Sequence, residues 1–337
     1  MLDLNKTAQA GSPVVFHDYA PDVGSFRQAL LDGLSAARKS IPCRFLYDAQ
    51  GSALFDQICE LEEYYPTRTE IGMLRAQGGE MAERIGPDCQ LIELGGASSL
   101  KAKILLDALD RPGVYMPVDI SREHMQTAVR RLHDERPDLA IHAICADYGQ
   151  PFALPVTEAG GRRVAFFPGS TIGNLNPGEA IDFLSDWAAK LGRGGAMLIG
   201  VDLRKDPELI RRAYDDARGV TAAFSKNVLA RANRELDADF DLDSFAHRAR
   251  YDTERGCIVI HLESLRAQTA RVGSHRLDFA AGEQVHIEDS YKYTLAGFRA
   301  LAMAGGFMPI QVWTDPDALF SIHYLEATSP APRSEPL

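Results

Sequence analysis

The chain has 337 residues, of which 45% are hydrophobic and 25% are charged, and its formal net charge is -11. This composition is typical of a soluble globular protein, and the length allows two domains and a core that needs no disulfide or metal to hold it together. The negative charge, without a dense run of Lys or Arg, argues against nucleic acid as a partner, and no stretch approaches the roughly 20 apolar residues of a membrane span.

The first segment, residues 14–69, is predicted to be mainly helical. Apolar residues at helical spacing indicate helices over residues 22–37 and 51–61. Thr67 and Glu70 then have the spacing of a capping box just before another apolar-periodic run. That pattern predicts a further helix that begins at this box.

Residues 90–203 alternate short apolar runs with amphipathic stretches. Five runs rich in β-branched or aromatic residues are predicted to be buried parallel strands: residues 91–96, 114–120, 140–148, 164–170 and 195–203. Candidate helices lie between them, near residues 99–109, 121–135 and 177–191. This βαβαβ order predicts a Rossmann-like sheet, an α/β fold with helices on both faces.

The last third of the chain continues with a different pattern. A long helix is predicted near residues 207–235, followed by alternating strands that include residues 257–264 and 283–293. A helix near residues 293–305 precedes two more strands, 307–314 and 320–328. Their connection is too short for a parallel crossover, so we expect an antiparallel hairpin at the sheet edge.

These elements predict a division into two domains. Residues 70–203 plus 292–328 would form the sheet domain, and residues 14–69 plus 204–291 would form an inserted α+β domain over the ligand edge of the sheet. Residues 329–337, rich in Pro and Ser, are expected to be a disordered tail.

The spacing of the cysteines and histidines bears on metal binding and on the cellular compartment. The five cysteines are scattered without a C-x-x-C pair, and the nine histidines show no metal-binding spacing. Reduced thiols and no metal are therefore expected. The N-terminus lacks the basic start and apolar run of a signal peptide, so we expect a cytoplasmic protein. We also expect the protein to be a monomer.

Three predicted strand ends carry residues suited to a nucleoside ligand. Gly95 lies in a turn that lacks the G-x-G-x-x-G dinucleotide pattern, because Ala and Leu replace two of the glycines. Asp119 follows 24 residues later and can accept hydrogen bonds from both ribose hydroxyls, while Asp147 and Tyr148 can contact adenine. A nucleoside without pyrophosphate describes S-adenosylmethionine better than NAD. An ordinary tight turn at Gly95 and a helix-capping role for Asp119 are the alternatives.

Five strings carry a family resemblance: FLYD at residues 45–48, EYYPTRTE at 63–70, FFPGSTIGN at 166–174, YDD at 214–216, and Glu288-x-Ser290. They resemble the L-histidine Nα-methyltransferases, which form trimethylhistidine (hercynine) in ergothioneine biosynthesis. The strings span roughly residues 40–325, nearly the whole chain. The resemblance implies S-adenosylmethionine as cofactor and transfer of up to three methyl groups to the α-amino nitrogen of free histidine. It also implies that the amino acid binds between two domains.

The resemblance further implies residue roles. Six residues match cofactor-binding positions: Tyr47, Gly95, Lys101, Asp119, Asp147 and Tyr148. Five match substrate-binding positions: Tyr64, Asn174, Tyr214, Glu288 and Ser290. Asn174 and Tyr214 resemble the pair that holds the α-carboxylate. Glu288 and Ser290 resemble the pair that hydrogen-bonds the imidazole.

Some points stay open at this stage. By register, Tyr65 competes with Tyr64 for the substrate contact, and both water and Tyr64 are candidates for the proton acceptor. The glycine turn has less glycine than is common in the family, and Tyr148 stands where Phe is frequent. N-methylation of another amino acid such as tryptophan, or a non-catalytic nucleoside-binding protein, are the alternative functions. Glu288 with Ser290 favours imidazole over indole, because a buried polar pair left unsatisfied costs roughly 1–3 kcal/mol.

Overall fold

A computed structural model describes residues 14–19, 25–96 and 100–328. Its strands are β1 (Val14–Asp18), β2 (Gln90–Leu94), β3 (Val114–Asp119), β4 (Ile141–Cys145), β5 (Arg163–Phe167), β6 (Ala196–Asp202), β7 (Phe245–Asp252), β8 (Cys257–Ser264), β9 (Gln268–Val272), β10 (His275–Phe279), β11 (Gln284–Tyr291), β12 (Phe307–Thr314) and β13 (Phe320–Ala327). Its α-helices are α1 (Phe26–Ser35), α2 (Ala49–Cys59), α3 (Tyr65–Ile85), α4 (Leu100–Ala108), α5 (Arg122–Glu135), α6 (Pro177–Leu191), α7 (Pro207–Ala213), α8 (Val220–Glu235) and α9 (Leu295–Ala304). The predicted tail at 329–337 lies outside the described residues.

The main sheet has eight strands in the order β1-β4-β3-β2-β5-β6-β13-β12. The strands from β1 to β6 run parallel, whereas β13 is antiparallel to both β6 and β12. The predicted edge hairpin is therefore confirmed. The chain passes from β2 to one side of the sheet and later from β5 to the other, so the strand order reverses between β2 and β5. In open α/β sheets, ligands bind beyond the strand ends at such a switch point.

Helices cover both faces of this sheet. Side chains alternate across a strand, so Ile92 and Leu91 enter separate hydrophobic clusters on opposite faces. Residues of α6 and α9 complete the first cluster, and residues of α3, α4 and α5 complete the second. Burial on both faces explains why the strand sequences are apolar runs with little polar alternation. The Rossmann-like α/β class and its predicted strands are confirmed.

The remaining elements build a second region beside the sheet. It contains α1, α2, α7, α8, a three-stranded antiparallel sheet β11-β8-β7 and the hairpin β9–β10. One hydrophobic cluster joins residues 26–65 to residues 213–287. The Ile41 amide also donates to the His286 carbonyl at 2.9 Å, which ties the two sequence segments together.

Two elements differ from the sequence prediction. The strand β1 pairs with β4 at the edge of the main sheet, so residues 14–18 do not share the location of the rest of the 14–69 segment. The predicted helix 207–235 is two helices, α7 and α8, separated by residues 214–219. Gly219 adopts φ +72°, and the Asp216 carboxylate accepts the Val220 and Thr221 amides at 3.0 and 2.8 Å. This local capping ends one helix and starts the next.

The predicted capping box at Thr67 and Glu70 is wrong. Helix α3 already begins at Tyr65, and the Thr67 hydroxyl donates to the Cys59 sulfur at 3.3 Å. Glu70 is fully buried and points toward the sheet. Tertiary contacts therefore use both residues in place of a local cap.

Within the described ranges, no helix has the length and apolar character needed to cross a membrane. The same part of the chain holds no group of three or more His, Cys, Asp or Glu side chains arranged for a metal ion.

Candidate active site

A cavity lies between the main sheet and the second region. About 590 Å³ of space lies between its walls, part of it open solvent. All five residues predicted to bind substrate line it: Tyr64, Asn174, Tyr214, Glu288 and Ser290. The fold therefore brings together side chains from four separate stretches of the sequence.

The turn after β5 forms one wall of the cavity. Gly169 has φ +80° and Ser170 has φ +58°, so the chain passes through two successive left-handed residues before a 3-10 turn at Thr171–Asn174. The buried Glu70 carboxylate accepts the Gly169 amide at 2.9 Å, and the Ser170 hydroxyl accepts the Asp202 amide at 2.9 Å. These bonds explain how the FFPGSTIGN string holds Asn174 at the cavity.

Strand β11 supplies the opposite wall. An irregularity between His286 and Glu288 shifts the pairing register with β8, and from there Glu288 and Ser290 lie two positions apart on one face. Burial raises the pKa of Glu288 to about 7, even though the nearby Lys292 ammonium and the Asn174 side chain act in the opposite direction.

A buried cluster that the sequence analysis missed lies beneath Tyr214 and Ser290. Lys292 is fully buried and donates to the Tyr214 hydroxyl at 2.7 Å and to the Ser290 hydroxyl at 2.8 Å. Its ammonium also pairs with Asp202 at 2.9 Å, and Asp202 pairs in addition with Lys205. Asp202 ends the buried strand β6, as Asp119 ends β3, and that position was the available sequence signal.

The two neighbouring tyrosines have different surroundings. Tyr64 lines the cavity, and its ring lies 6.0 Å from the ring of Tyr214. The Tyr65 hydroxyl instead donates to Asp202 at 2.9 Å and accepts from Lys205 at 2.7 Å. Of the pair, only Tyr64 lies where it can contact a ligand in this cavity.

The predicted cofactor residues surround the switch point. Gly95 has φ +71°, and a Cβ atom built there would lie 3.1 Å from the Tyr148 ring. Tyr148 packs edge-on against Phe167, with ring centroids 5.7 Å apart. Asp119 accepts the Ser121 amide at 2.8 Å and Asp147 accepts the Gly149 amide at 2.8 Å, so local turns orient both carboxyl groups.

Of the predicted cofactor residues, Tyr47 lines the cavity and Lys101 lies beside a residue that lines it. The Lys101 ammonium pairs with the buried Glu70 carboxylate at 2.6 Å, next to the Gly169 turn. Tyr47 lines the cavity itself. Its hydroxyl interacts electrostatically with both Glu288 and Tyr148, which places it between the two groups of predicted residues.

These features fit a nucleoside methyl donor. The Gly95 turn has a left-handed φ that a residue with a Cβ atom adopts only under strain, two carboxyl groups lie at the ends of consecutive parallel strands, and an aromatic ring lies beside the turn. A cavity with polar groups at its walls opens next to this edge. An α/β fold with this pair of sites defines the class of S-adenosylmethionine-dependent methyltransferases acting on small molecules.

Comparison with known proteins identifies the family. Residues 26–327 match the family described as "Histidine-specific methyltransferase, SAM-dependent", and the chain belongs to it. The chain is 42% identical over 304 residues to a histidine N-alpha-methyltransferase of Mycolicibacterium smegmatis, covering 88% of this chain and 94% of that protein. It is 41% identical over 296 residues to the protein of the same name from Mycobacterium tuberculosis, covering 86% and 91%.

A more distant relative is longer. The chain is 28% identical over 315 residues to ergothioneine biosynthesis protein 1 of Schizosaccharomyces pombe, covering 90% of this chain and 41% of that protein. The chain is thus an S-adenosylmethionine-dependent methyltransferase, and the family resemblance seen in its sequence is confirmed.

Proposed function

We propose that this enzyme transfers methyl groups from S-adenosylmethionine to the α-amino nitrogen of free L-histidine, up to trimethylhistidine. The observation that carries the proposal is the position of Glu288 and Ser290 in one cavity with Asn174 and Tyr214. A ring with one N–H and one lone pair matches a carboxylate acceptor beside a hydroxyl donor. Indole has one N–H and no second ring nitrogen, so its ring would offer no acceptor to the proton of the Ser290 hydroxyl.

The two pairs of residues would hold the two ends of the amino acid. In this proposal Asn174 and Tyr214 bind the α-carboxylate, and Glu288 and Ser290 bind the imidazole. Fixing both ends limits rotation of the amine between them, and such alignment is a large part of catalysis in a displacement reaction. The Tyr64 ring borders the same space, where an aromatic face can attract the cation that methylation produces.

On the cofactor side, we assign Gly95, Asp119, Asp147 and Tyr148 to the nucleoside and Tyr47 to the junction with the substrate. Bound S-adenosylmethionine supplies an electrophilic methyl group on a sulfonium. The Gly95 turn admits a ligand next to the backbone because it carries no side chain. Lys101 would also contact the cofactor, although its ammonium is paired with the Glu70 carboxylate.

The amine proton must leave before each methyl group arrives. Burial raises the pKa of Tyr64 well above its usual value, and burial does the same for Tyr47. Both phenols therefore remain protonated at neutral pH and are poor general bases. We infer that the amine loses its proton to water and that the chain contributes alignment in place of a dedicated base.

We also propose a cytoplasmic monomer that acts on a small molecule, without nucleic acid or membrane. Its net charge of -11 argues against a nucleic-acid partner, and its five free cysteines suit a reducing compartment. The region formed by residues 26–69 and 204–291 would be the substrate-binding domain, and the main sheet would be the methyltransferase domain.

The test is mass spectrometry of the purified protein with S-adenosylmethionine and an equimolar mixture of free amino acids. Histidine gaining up to three methyl groups while the others stay unchanged is the expected result. Methylated tryptophan would overturn the substrate assignment, and no methylation of any amino acid would overturn the proposed reaction.

Glu288→Ala should lower histidine turnover far more than cofactor affinity.

A further inference from the structure

The Lys292 ammonium is saturated with hydrogen-bond acceptors. It contacts Asp202 at 2.9 Å, the Tyr214 hydroxyl at 2.7 Å and the Ser290 hydroxyl at 2.8 Å. An ammonium has three N–H donors and no acceptor, so each of these three oxygens must accept from it. The direction of all three hydrogen bonds is therefore determined by chemistry alone.

This direction restricts what Tyr214 and Ser290 can do. Each hydroxyl uses its oxygen to accept from Lys292 and keeps its own proton to donate. The two oxygens lie 3.1 Å apart, so one proton can be donated to the other hydroxyl. Both protons cannot lie between the same two oxygens, and both residues line the cavity. At least one O–H must therefore seek an acceptor there.

We propose that Lys292 is a positioning residue that makes Tyr214 and Ser290 hydrogen-bond donors toward the substrate and so selects a neutral imidazole. In that arrangement one ring nitrogen donates to Glu288 and the other accepts from Ser290. The identity of the ligand rests on the proposed function. The role of Lys292 extends it, because Lys292 does not line the cavity and acts through two residues that do.

The charges around Lys292 support the same selection. Asp202 lies between two ammonium groups, Lys292 and Lys205, and this buried group of three carries one net positive charge. A positive charge polarises the Tyr214 hydroxyl and strengthens its bond to a carboxylate. The same charge repels an imidazolium ring held at Ser290 and so opposes the attraction that the Glu288 carboxylate exerts on that cation. An α-carboxylate and a neutral ring are thus favoured together.

Lys205 offers a matched control. It pairs with the same buried Asp202 as Lys292, but its other contact is the Tyr65 hydroxyl, which does not line the cavity. Lys292→Met and Lys205→Met therefore both remove one cation from Asp202. Only Lys292→Met releases Tyr214 and Ser290.

The kinetic test compares KM for histidine, kcat and the Kd of S-adenosylhomocysteine in these variants. Lys292→Met should raise KM about 10- to 100-fold, the range expected when hydrogen bonds to a polar ligand are lost, with the Kd within about twofold of wild type. Lys205→Met removes the same unit of charge but leaves the hydrogen bonds to Tyr214 and Ser290 in place, so it should raise KM by no more than about threefold. In a Ser290→Ala background, Lys292→Met should raise KM by a clearly smaller factor. Equal KM effects of the two lysine variants, or full additivity with Ser290→Ala, would overturn the proposal.

A direct measurement needs no variant. ¹⁵N NMR of ring-labelled histidine bound to the wild-type enzyme with S-adenosylhomocysteine should show one protonated and one unprotonated ring nitrogen at pH 5, where free histidine is largely imidazolium. Bound imidazolium would overturn the role of Lys292 while leaving the proposed function intact. Failure of histidine to bind or be methylated would instead overturn the proposed function, and this inference with it.

Discussion

The carboxylate of Glu70 accepts the backbone amide of Gly169 at 2.9 Å, although 99 positions separate the two residues in the chain. Glu70 is fully buried in helix α3, and its other partner is the Lys101 ammonium at 2.6 Å. One side chain thus links the turn that lines the cavity to the helix that follows the Gly95 turn. This contact couples the predicted substrate side of the site to the cofactor side.

Glu70→Ala should therefore destabilise the protein. Removing one member of a buried ion pair leaves the other uncompensated, and such changes cost roughly 3–5 kcal/mol. We expect a loss near the lower end in urea unfolding, because the Lys101 side chain retains 14% exposure. Glu83→Ala, on the exposed surface of the same helix, is the control. Equal stability of the two variants would show that the buried pair contributes little.

Gly95→Ala should weaken cofactor binding. The left-handed φ of +71° costs a residue with a Cβ roughly 1–2 kcal/mol, and the new atom would lie 3.1 Å from the Tyr148 ring. Isothermal titration with S-adenosylhomocysteine should show at least a tenfold higher Kd. Gly79→Ala is the matched control, because its Cβ would meet nothing within 4 Å in helix α3. That substitution should raise stability by roughly 0.5–1 kcal/mol. Unchanged cofactor affinity in Gly95→Ala would remove this glycine from the cofactor site.

Tyr64→Phe and Tyr65→Phe should affect different properties. Loss of the Tyr64 hydroxyl changes the cavity wall, so KM for histidine should rise with little change in stability. Loss of the Tyr65 hydroxyl removes buried hydrogen bonds to Asp202 and Lys205, which should cost roughly 1–3 kcal/mol in unfolding free energy. Steady-state kinetics and urea unfolding of both variants measure the difference. The reverse pattern would assign the substrate contact to Tyr65.

Because of the titration of Glu288, the stability of the unliganded protein should fall as pH rises. Its pKa is raised by burial from 4.5 to about 7, so between these values the folded state holds a proton that the unfolded state has lost. The stability from this proton is fully present below pH 4.5 and is lost as pH rises through 7. The shift corresponds to about 3 kcal/mol at most.

Glu288→Gln abolishes this titration. Relative to wild type, the variant should gain stability between pH 5 and pH 8, measured by urea unfolding at both values without ligand. Glu254→Gln, in the exposed turn between β7 and β8, is the control. A stability difference from wild type that is the same at pH 5 and pH 8 would contradict the burial argument. Such a cost at a binding site is expected, because a buried carboxylate is suited to a ligand N–H more than to an empty cavity.

Much of the main sheet was predictable from local patterns. The apolar runs that became β2 to β6 are buried on both faces, and the short connection between β12 and β13 allowed only an antiparallel pair. The helix after Asn176 follows from a capping box that the structure forms, with Asn176 and Glu179 as partners. These features depend on residues within a turn or two of each other, so the sequence determined them.

The same local rule failed at Thr67 and Glu70. The capping spacing is present, but Glu70 lies at the fold's centre, where a buried amide and Lys101 are stronger partners than a solvated helix end. The split between α7 and α8 was missed because the pattern is helical on both sides of it. Only Asp216 and Gly219 mark the interruption. The strand β1 was missed because β4, the strand with which it pairs, lies more than 120 residues away.

The sequence by itself determined strands β2 to β6 and the β12–β13 hairpin of the main sheet and, through its strings, the family and the residues proposed to contact ligands. Only the tertiary structure decided that Tyr64 and not Tyr65 lines the cavity, and that Lys292 lies beneath Tyr214 and Ser290. The physical reason is range. Helices and strands follow from neighbouring residues, whereas a buried ion pair forms only where the chain path brings distant side chains together and excludes water from between them.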